Sequence, residues 1–550
     1  IVGINATRAL TCKYNAQLAC GRVQTPTLAM IAAREEEIKD FVPRNYYGIE
    51  IISSQINWTW LSAKKEKHLF NEAKIDETIK KLQNQKLKIE KISTFTKKKY
   101  APQLYDLTEL QRDANKLYGF SAKETLATMQ DLYEYHKVLT YPRTDSRYLT
   151  DDIVPTLKER LEASRGGDYD NIIDKILKSP IRKQSHFVNN SKVSDHHAII
   201  PTEQPAMLGS FTDRELKIYE LVLKRFLAVL LPPYLYEQTT INAIVNQEIF
   251  TVSGKIETQI GWKEVYGHEE DSEDQTLPSL KQNQFLPITE ITKTTGQTTP
   301  PGYFNEATLL SAMENPVRYK QLSSTLVNTG GLGTVATRAD IIEKLFNTFL
   351  IEKSGNDIHV TNKGKQLLKL VPQDLKEPEL TAKWEMELAK IAKKEQKSNI
   401  FINEIKKYTR SLIDEISSSE AKFKHDNLTT KKCPECNHFM LEVNGKKGKM
   451  LVCSNPDCKH RESVSIITNA RCPNCHKKLE LVGKGDKQMF VCKTCGYRQH
   501  MNAFKKEREN KNKLARKSDV KKYMNQQKQQ QTAVEDSPFA ALLKLKDELK

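Results

Sequence analysis

Apolar residues recur along this 550-residue chain with two different spacings. Spacings of three or four residues are typical of helices, and alternation of apolar and polar residues is typical of half-buried strands. The helical spacing predicts helices at residues 26–39, 108–137, 211–231, 305–313, 337–347 and 377–418. Alternation predicts strands at 46–60 and 87–99, and β structure with turns over 235–300. The pattern therefore indicates an α+β protein of several domains, with a β domain interrupted by a helical insertion.

Two of these helices carry signals at their predicted starts. Thr25 is expected to be the N-cap of the first helix, with Pro26 as its first helical residue. Ser121 is followed three residues later by Glu124, which is the pattern of a capping box. These signals predict two helix starts independently of the apolar spacing.

The composition limits the class of protein. Hydrophobic residues make up 38% of the chain and charged residues 28%, which is enough apolar material for several cores. This excludes a wholly disordered chain, a collagen and a small disulfide scaffold. The most apolar stretch, Leu221–Leu231, contains Lys224 and Arg225, so we expect no membrane span.

Positive charge is concentrated near the C-terminus. The chain carries a net charge of +17, of which residues 431–500 supply +8 and residues 501–550 supply +6. Residues 505–535 are rich in lysine, glutamine and asparagine and are expected to be disordered or loosely helical, and 537–549 fit a short amphipathic helix. A basic region of this kind suits nucleic acid or an anionic membrane, and a solubilising tail is the alternative.

Eight of the ten cysteines form two similar sets. The first set has the spacing C-x2-C-x16-C-x4-C and the second C-x2-C-x16-C-x2-C, and their first three members are offset by 39 residues. The two sets are Cys433, Cys436, Cys453, Cys458 and Cys472, Cys475, Cys492, Cys495. Paired thiolates joined by a predicted hairpin suit a closed, structural, tetrahedral zinc site. Disulfide loops are the alternative, and the absence of a signal peptide at the start of the sequence argues against them.

The stretch TYPRTDSRYL at residues 140–149 contains the most informative group of polar residues. Pro142 disfavours helical geometry at Tyr141 and is expected to project that side chain from a turn. A tyrosine can attack a phosphodiester if its phenol loses a proton, and the guanidinium of Arg143 suits phosphate oxygens. A capped surface turn is the alternative for this stretch taken alone.

Three further stretches contain residues suited to phosphate chemistry. In DHHAIIPT, His196 or His197 could donate a proton or contact a phosphate. In ACGRVQTPTL, residues 19–28, polar groups precede a helix N-terminus, which favours anions. The glycine-rich GGLGTVATRAD leads into a helix carrying Arg338, and it does not match a Walker A motif, so no ATP site is expected. Ordinary helix entries, a buried histidine or a flexible turn would explain each stretch taken singly.

Taken together and in this order, the stretches resemble type IA DNA topoisomerases. The matching segments are IVGINATRALT, GRVQTPTLAMIAAREEEI, LTYPRTDSRYL, DHHAIIPT, PPGYFNEATLLSAMENP and GLGTVATRADIIEKL. They run from residue 1 to about 350, and the resemblance continues to about 425. The forms DHHAIIPT and GT-x-ATRA resemble the topoisomerase III branch.

The resemblance implies a toroidal catalytic core followed by two four-cysteine zinc ribbons. It divides the chain into part of a helical DNA-binding domain (1–45), a β-rich arch (46–105 and 233–300), a helical domain with the nucleophile (106–232), the second part of the DNA-binding domain (301–425), zinc ribbons (430–465 and 469–500) and a basic tail (501–550).

The same resemblance assigns roles to residues. Tyr141 would be the nucleophile that forms a 5′-phosphotyrosine link with single-stranded DNA, and Arg143 and His196 would assist at the scissile phosphate; His197 is not favoured. The expected DNA contacts are Ala19, Cys20, Gly21, Arg22, Val23, Gln24 and Arg338. No nucleotide triphosphate would be needed, because the phosphodiester energy is retained in the covalent link.

One expected part of the family is not found in this sequence. Type IA topoisomerases begin with a TOPRIM domain whose acidic cluster binds magnesium, and the chain starts where that domain should end. We expect magnesium to be required, with its TOPRIM ligands supplied by a longer protein or by a separate chain. We expect DNA binding by this chain and little relaxation activity without that domain.

Other readings are less consistent with the sequence. A catalytically incompetent DNA-binding clamp with zinc ribbons is the main alternative. A tyrosine relaxase or recombinase would need a histidine triad or an Arg/His/Arg set around the tyrosine, and neither pattern is evident. The protein is expected to be a cytoplasmic monomer, associated with the nucleoid in a bacterium, with DNA as its partner and no membrane association.

Overall fold

The computed structural model describes residues 1–267, 277–316, 331–425, 427–445, 448–455, 458–483, 485–514 and 525. The chain divides into two compact units, Ile1–Phe423 and Lys424–Lys550. The amphipathic helix expected at 537–549 lies outside the described residues, as does most of 505–535. None of the helices in the described part of the chain combines the length and the hydropathy needed to cross a bilayer.

The first unit is mostly helical. In chain order its helices are α1 (Val2–Tyr14), α2 (Gln24–Lys39), α3 (Glu72–Leu82), α4 (Leu107–Tyr118), α5 (Ala122–Glu134), α6 (Leu157–Ala163), α7 (Asp170–Leu177), α8 (Asp213–Leu230), α9 (Glu306–Glu314), α10 (Val335–Asn347), α11 (Asn362–Leu370), α12 (Pro378–Ala392) and α13 (Ser398–Ser418). Short 3₁₀ segments span Asp151–Thr156, Asn190–Lys192, Leu208–Ser210, Gly261–Tyr266 and Gln373–Lys376.

A seven-stranded antiparallel sheet is the main β structure of this unit. Its strands are β1 (Asn45–Ser53), β2 (Ile56–Leu61), β3 (Lys86–Lys99), β4 (Tyr234–Val245), β5 (Glu248–Gln259), β6 (Phe285–Pro287) and β7 (Glu290–Gln297). Their order in the sheet is β6-β3-β4-β5-β2-β1-β7. The hairpin β8 (Ile351–Ser354) and β9 (Asp357–Val360) lies between α10 and α11. Residues 46–105 and 233–300 thus contribute strands to one sheet, on either side of a helical insertion.

Three apolar cores hold the first unit together. One lies within the helical insertion and includes Met129 and Phe226. A second joins the helices before the sheet to those after it, and includes Leu10 and Leu345. The third lies against the sheet, where Trp58 is fully buried. Burial contributes roughly 25 cal/mol for each Å² of apolar surface removed from water. Each core therefore holds in place the helices and strands that pack on it.

Several local predictions are confirmed. The capping box of Ser121 and Glu124 starts α5, and a second one, of Thr212 and Glu215, starts α8. Between α4 and α5, Gly119 adopts a left-handed φ of 69°, which ends α4 and explains why residues 108–137 form two helices.

Other local predictions are wrong. Helix α2 begins at Gln24 after Val23, so Thr25 is not its N-cap and Pro26 is its third residue. The Thr25 hydroxyl instead accepts a hydrogen bond from the Gly21 backbone N–H at 2.9 Å. A proline is tolerated here because N–H groups of the first turn lack helical partners.

The second unit consists of two similar small β modules. The first contains β10 (Leu428–Lys432), β11 (Phe439–Gly445), β12 (Gly448–Cys453) and β13 (Arg461–Ser463). The second contains β14 (Ser465–Arg471), β15 (Lys478–Val482), β16 (Met489–Val491) and β17 (Arg498–His500), followed by α14 (Met501–Leu514). A short 3₁₀ segment spans Gly485–Lys487. The pairs β11–β12 and β15–β16 are the hairpins predicted between the cysteine pairs.

Candidate active site and cysteine clusters

The loop that carries Tyr141 is held to the loop that carries His196. The Thr140 backbone N–H donates to the Ile200 carbonyl at 3.0 Å, and the Ile200 N–H donates to the Thr140 hydroxyl at 3.0 Å. Beyond the tyrosine, the Thr144 hydroxyl donates to the His196 carbonyl at 2.9 Å. Because these bonds flank Tyr141 on both sides, they fix its backbone against the histidine loop.

The ring of Tyr141 lies between two other rings. Its centroid is 4.3 Å from that of His196, with the planes tilted by 38°, and 5.6 Å from that of Tyr133 in an edge-on arrangement. Tyr133 belongs to the last turn of α5. The side chain of Tyr141 is half-buried and that of His196 is exposed, so solvent reaches this pair.

Arg143 follows on the same loop as a half-buried side chain. Its Nε atom is buried and has no hydrogen-bond partner among the described residues. A buried guanidinium N–H without a partner costs free energy that an anionic ligand could recover. This arrangement suits a residue that contacts a phosphate.

His197 lies deeper than His196. Its Nδ1 is 2.7 Å from the carbonyl oxygen of Ala198, which requires that Nδ1 carries the proton. Burial lowers the pKa of His197 below its ordinary value, the hydrogen bond to Ala198 opposing the shift. His197 is therefore a neutral packing residue in this arrangement, whereas His196 faces solvent.

Next to this loop lies a cavity of about 670 Å³ that is rich in arginine. The residues lining it include Arg22, Arg112, Arg147 and Arg338, with Asp145, Glu314 and Glu385. Asp145 is four residues from Tyr141 in the sequence, so the cavity adjoins the tyrosine loop. Gly331, with a left-handed φ of 80°, places its backbone against α9: an added Cβ would lie 2.3 Å from the Met313 carbonyl oxygen.

Ion pairs hold the arginines in this cavity. Arg147 contacts Asp106 at 2.6 Å and Glu314 at 3.7 Å, and Glu314 also contacts Arg112 at 3.1 Å. Arg22 contacts Glu385 at 2.5 Å. Arg112, Arg147 and these acids are not among the site residues predicted from the sequence, although Arg147 lies in the stretch TYPRTDSRYL and Glu314 lies in PPGYFNEATLLSAMENP.

Arg338 is almost fully buried, with 3% of its surface exposed. Its Nε donates to the Leu332 carbonyl at 3.3 Å and its Nη1 to the Thr108 hydroxyl at 3.1 Å. Thus Arg338 joins the first turn of α10 to the first turn of α4. It borders the cavity while being held by protein groups.

The stretch before α2 is partly buried. Ala19, Cys20 and Gln24 are buried, and the Gln24 amide donates to the Ala19 carbonyl at 3.3 Å. Burial raises the pKa of the Cys20 thiol to about 11, so this thiol is un-ionised. Gly21, Arg22 and Val23 are half-buried, and of these Arg22 and Val23 line the cavity.

In the second unit, each set of four cysteines comes together as a compact group. The metal-binding atoms in each group all lie within 4.8 Å of one another. Sγ–Sγ distances are 3.2 Å for Cys436–Cys453 and 3.3 Å for Cys475–Cys492, and no cysteine of the chain is in a disulfide. Four sulfurs around zinc at about 2.3 Å would be about 3.8 Å apart. Each group can therefore hold one metal ion after a small adjustment.

The turns between paired cysteines favour metal binding as well. After Cys436 and Cys475, Asn437 and His476 adopt left-handed φ values of 59° and 57°. The Asn437 N–H returns to the Cys433 carbonyl at 3.0 Å. Such a turn brings the two thiols of a C-x2-C pair to one side.

The sequence of this chain is similar to those of known DNA topoisomerases. A family model described as DNA topoisomerase matches residues 1–403. DNA topoisomerase 3 of Bacillus thuringiensis (strain Al Hakam) is 56% identical over 558 residues, covering 99% of this chain and 76% of that protein. DNA topoisomerase 3 of Bacillus subtilis (strain 168) is 54% identical over 540 residues, covering 96% and 74%.

A solved structure shares the fold. Full-length topoisomerase I from Thermotoga maritima superposes with a TM-score of 0.59 and 23% identity, covering 85% of this chain and 75% of that chain. At this identity the match concerns the fold, while the family match and the identity to topoisomerase 3 proteins rest on sequence. The chain therefore belongs to the type IA DNA topoisomerase family of isomerases.

Proposed function

We propose that this chain breaks, passes and rejoins single DNA strands in the manner of the topoisomerase III branch, with Tyr141 as the nucleophile. The observation that carries the proposal is the 4.3 Å stacking of Tyr141 on the exposed His196, beside a cavity lined by arginines. Relaxation and decatenation of DNA are the expected outcomes.

The reaction is a transesterification at phosphorus. The Tyr141 oxygen forms a bond to the 5′-phosphate as the bond to the 3′-oxygen of the neighbouring nucleotide breaks. The phenol proton leaves to a base, and the departing 3′-oxygen gains a proton. Rejoining is the reverse attack by the 3′-hydroxyl, so the number of phosphodiester bonds is conserved and no nucleotide triphosphate is consumed.

Arg143 and His196 would act on the phosphate during this step. Negative charge accumulates on the non-bridging oxygens, and preorganised donors there stabilise the transition state. The buried Nε of Arg143, which has no partner among the described residues, is one such donor. His196 can donate a hydrogen bond from its exposed ring to the same group.

The arginine cavity would hold the strand next to the scissile phosphate. Arg22 and the backbone of Gly21 and Val23 are accessible enough for direct contact, and we retain Ala19, Cys20 and Gln24 as residues that shape this contact segment. Arg338 would act from a buried position, by holding α10 against α4.

We infer that the metal in both cysteine groups is zinc. Four thiolates in a compact group favour zinc over magnesium or calcium, which prefer oxygen ligands. Such sites are closed, so their role is structural. Stabilised in this way, the two modules and the basic residues around them can bind single-stranded DNA.

We assign no step of the reaction to a magnesium ion held by the described residues of this chain. Groups of three or more candidate metal ligands in the described residues are confined to the two cysteine clusters, and no acidic group fits. The TOPRIM ligands implied by the family would have to come from a longer protein or a separate chain. We propose a cytoplasmic monomer as the working form.

The alternative is a DNA-binding clamp without catalysis. It keeps the zinc modules and the arginine cavity but gives Tyr141 no chemistry. The stacking of Tyr141 on His196, on the loop where the buried Nε of Arg143 has no partner among the described residues, favours the enzyme, since a clamp needs no accessible tyrosine there.

The test is covalent trapping. The chain, supplied with a TOPRIM domain and magnesium, is mixed with an oligonucleotide labelled at either end, and the reaction is stopped with detergent. We expect the label 3′ to the break to stay on the protein, with the adduct mapped by mass spectrometry to Tyr141. The absence of any adduct would favour the clamp, and an adduct on another residue would remove Tyr141 from the role of nucleophile.

A further inference from the structure

The outer part of the large sheet forms a ribbon whose β3 side chains lie outside the apolar cores, while Tyr234 and Tyr236 at its base contact the core of the helical insertion. Beyond Ile92, β3 continues to Lys99 with exposed side chains over residues 94–99, paired with the first half of β4. On the other side of β4, the second half of β5 completes the ribbon. Both faces of this three-stranded ribbon carry exposed side chains, so their chemistry can be compared.

The strand register assigns five residues to one face. Phe95 lies opposite Gln238, which lies opposite Lys255, and Lys97 lies opposite Tyr236. Residues two apart on a strand share a face, so these five side chains project to the same side. We call this the aromatic-lysine face. Phe95 is 65% exposed, so its ring is accessible to a ligand.

Ring contacts confirm that the lysine and the tyrosines share this side. The Lys255 Nζ lies 5.1 Å from the ring centroid of Tyr236 and 5.3 Å from that of Tyr234. Lys263, after the end of β5, lies 4.4 Å from the Tyr234 ring. The face thus places cations directly beside aromatic rings, at distances typical of cation–π pairs.

The opposite face of the same ribbon has different chemistry. There Thr96, Glu237 and Ile256 lie in one row. Ile256 is 60% exposed, which is close to the exposure of Phe95, but it offers no ring for stacking. On this side one lysine, Lys98, is balanced by one acid, Glu237. On the aromatic-lysine face there are three lysines and one acid, namely Lys97, Lys99, Lys255 and Glu257. The two faces therefore form a natural comparison.

We propose that the aromatic-lysine face is a second binding site for single-stranded DNA. Phe95 and Tyr236 would stack on bases, while Lys97 and Lys255 contact the phosphates. Single strands fit this chemistry better than duplexes, because only unpaired bases expose their faces to an aromatic ring. The site shares no residue with the cavity beside Tyr141. It deepens the proposed function by giving the chain a place for a strand that is not being cleaved.

Photo-crosslinking tests the proposal on the full chain. A thymidine oligonucleotide containing 5-iododeoxyuridine is irradiated with the Tyr141→Phe protein, and crosslinked peptides are sequenced by mass spectrometry. We expect crosslinks at Phe95 or Tyr236 that are competed by single strands more than by duplex. Phe95→Ala should lower the crosslink yield on β3 and β4 at least fivefold, and Ile256→Ala, the control on the opposite face, should leave it unchanged.

A salt series provides a second measurement. Lys97→Gln with Lys255→Gln should reduce the slope of log K against log salt by about 1.4, since each contact to a single strand contributes about 0.7. Thermal unfolding of each variant checks that the fold is retained. An unchanged slope, or equal crosslinking of Phe95→Ala and wild type, would overturn the proposal.

The crosslinking result also separates this inference from the proposed function. Crosslinking requires no cleavage, so it can succeed even if Tyr141 is not a nucleophile. Crosslinks found only outside β3 and β4 would overturn the second site and leave the proposed chemistry intact. Failure to bind single-stranded DNA at all would contradict both.

Discussion

Tyr141 and His196 stack with their ring centroids 4.3 Å apart, although they come from loops on opposite sides of the helices α6 and α7 in the sequence. The hydrogen bond from the Thr144 hydroxyl to the His196 carbonyl holds this pairing from the backbone. The proposed nucleophile and the proposed phosphate ligand are thus held together by hydrogen bonds between their loops.

Replacing Tyr141 by phenylalanine should abolish covalent capture of single-stranded DNA. Phenylalanine keeps the ring and its contacts with His196 and Tyr133, but it removes the oxygen that would form the bond to phosphorus. The measurement is the yield of detergent-stable adduct with a TOPRIM domain supplied, and the dissociation constant for the same oligonucleotide should change less than twofold. A persisting adduct would remove Tyr141 from the role of nucleophile.

Replacing Arg143 by lysine should slow cleavage more than it weakens binding. Lysine keeps the positive charge but loses the planar fork and the buried Nε donor. Loss of one such donor costs on the order of 3 kcal/mol in the barrier, or about 100-fold in rate. Single-turnover cleavage and equilibrium binding should be measured on the same substrate. Equal losses in the two would mean that Arg143 only anchors the strand.

Sequence patterns predicted the local structure where the signal lies within one turn. Ser121 and Glu124 are an example, since both partners of the capping box are three residues apart. Helix α3 has a comparable signal in Asn71, whose side chain accepts a hydrogen bond from the Lys74 N–H. The prediction of a β-rich region at 46–105 nevertheless did not include this helix. The prediction that Thr25 is an N-cap was wrong because its hydroxyl accepts a hydrogen bond from the Gly21 N–H, which precedes the helix. The sequence does not distinguish this hydrogen bond from capping.

The sequence predicted one β domain interrupted by a helical insertion, but not which distant strands pair within it. The return of β7 to pair with β1 at the edge of the sheet depends on strands about 240 residues apart, and apolar alternation carries no pairing information. Arg338 shows the same limit at the site. The family resemblance predicts that Arg338, on the helix after the glycine-rich loop, contacts DNA, whereas the Thr108 hydroxyl and the Leu332 carbonyl hold it in a buried position.

The stability of the first unit should fall on mild acidification because of His197. Burial lowers the pKa of His197 in the folded state below its ordinary value of 6.5, so the folded state resists protonation. Its stabilising effect is complete above pH 6.5 and is lost as the pH falls through the folded-state pKa. His197→Asn, which can still donate to the Ala198 carbonyl, should show a smaller loss of stability between pH 7 and pH 5 in denaturant unfolding.

His196→Asn is the matched control for this measurement, because the neighbouring ring is exposed. Because this variant retains the buried imidazole of His197, it should lose more stability between pH 7 and pH 5 than His197→Asn does. If His197→Asn and His196→Asn gave the same pH dependence as the wild type, the buried imidazole would not be the group responsible.

The purified protein should contain about two zinc ions per chain. The cysteine modules bury few side chains, with Met440 and Leu451 in the first and Leu479 and Phe490 in the second, so metal binding should be coupled to their folding. Cys453→Ser should reduce the content to about one zinc, while Cys12→Ser, an exposed cysteine outside both groups, should leave two. Elemental analysis under reducing conditions without chelator gives the ratio, and a wild-type content near zero would contradict the assignment.

Removing residues 424–550 should weaken binding of single-stranded DNA and flatten its salt dependence, while the chemistry of Tyr141 persists. This segment is the second unit and carries +14 of the net charge of +17. Each phosphate neutralised by a lysine or arginine releases condensed counterions and contributes about 0.7 to the slope on single strands. Because four-thiolate zinc centres carry negative charge, the loss in slope should be smaller than the removed charge alone would give. Tyr141 and its neighbours lie in the first unit, which has its own apolar cores, so the truncated protein should still form the covalent adduct.

The measurement is binding across a salt series for the full and truncated chains. Identical slopes would identify the basic region as a solubilising tail, and would assign DNA binding to the first unit alone.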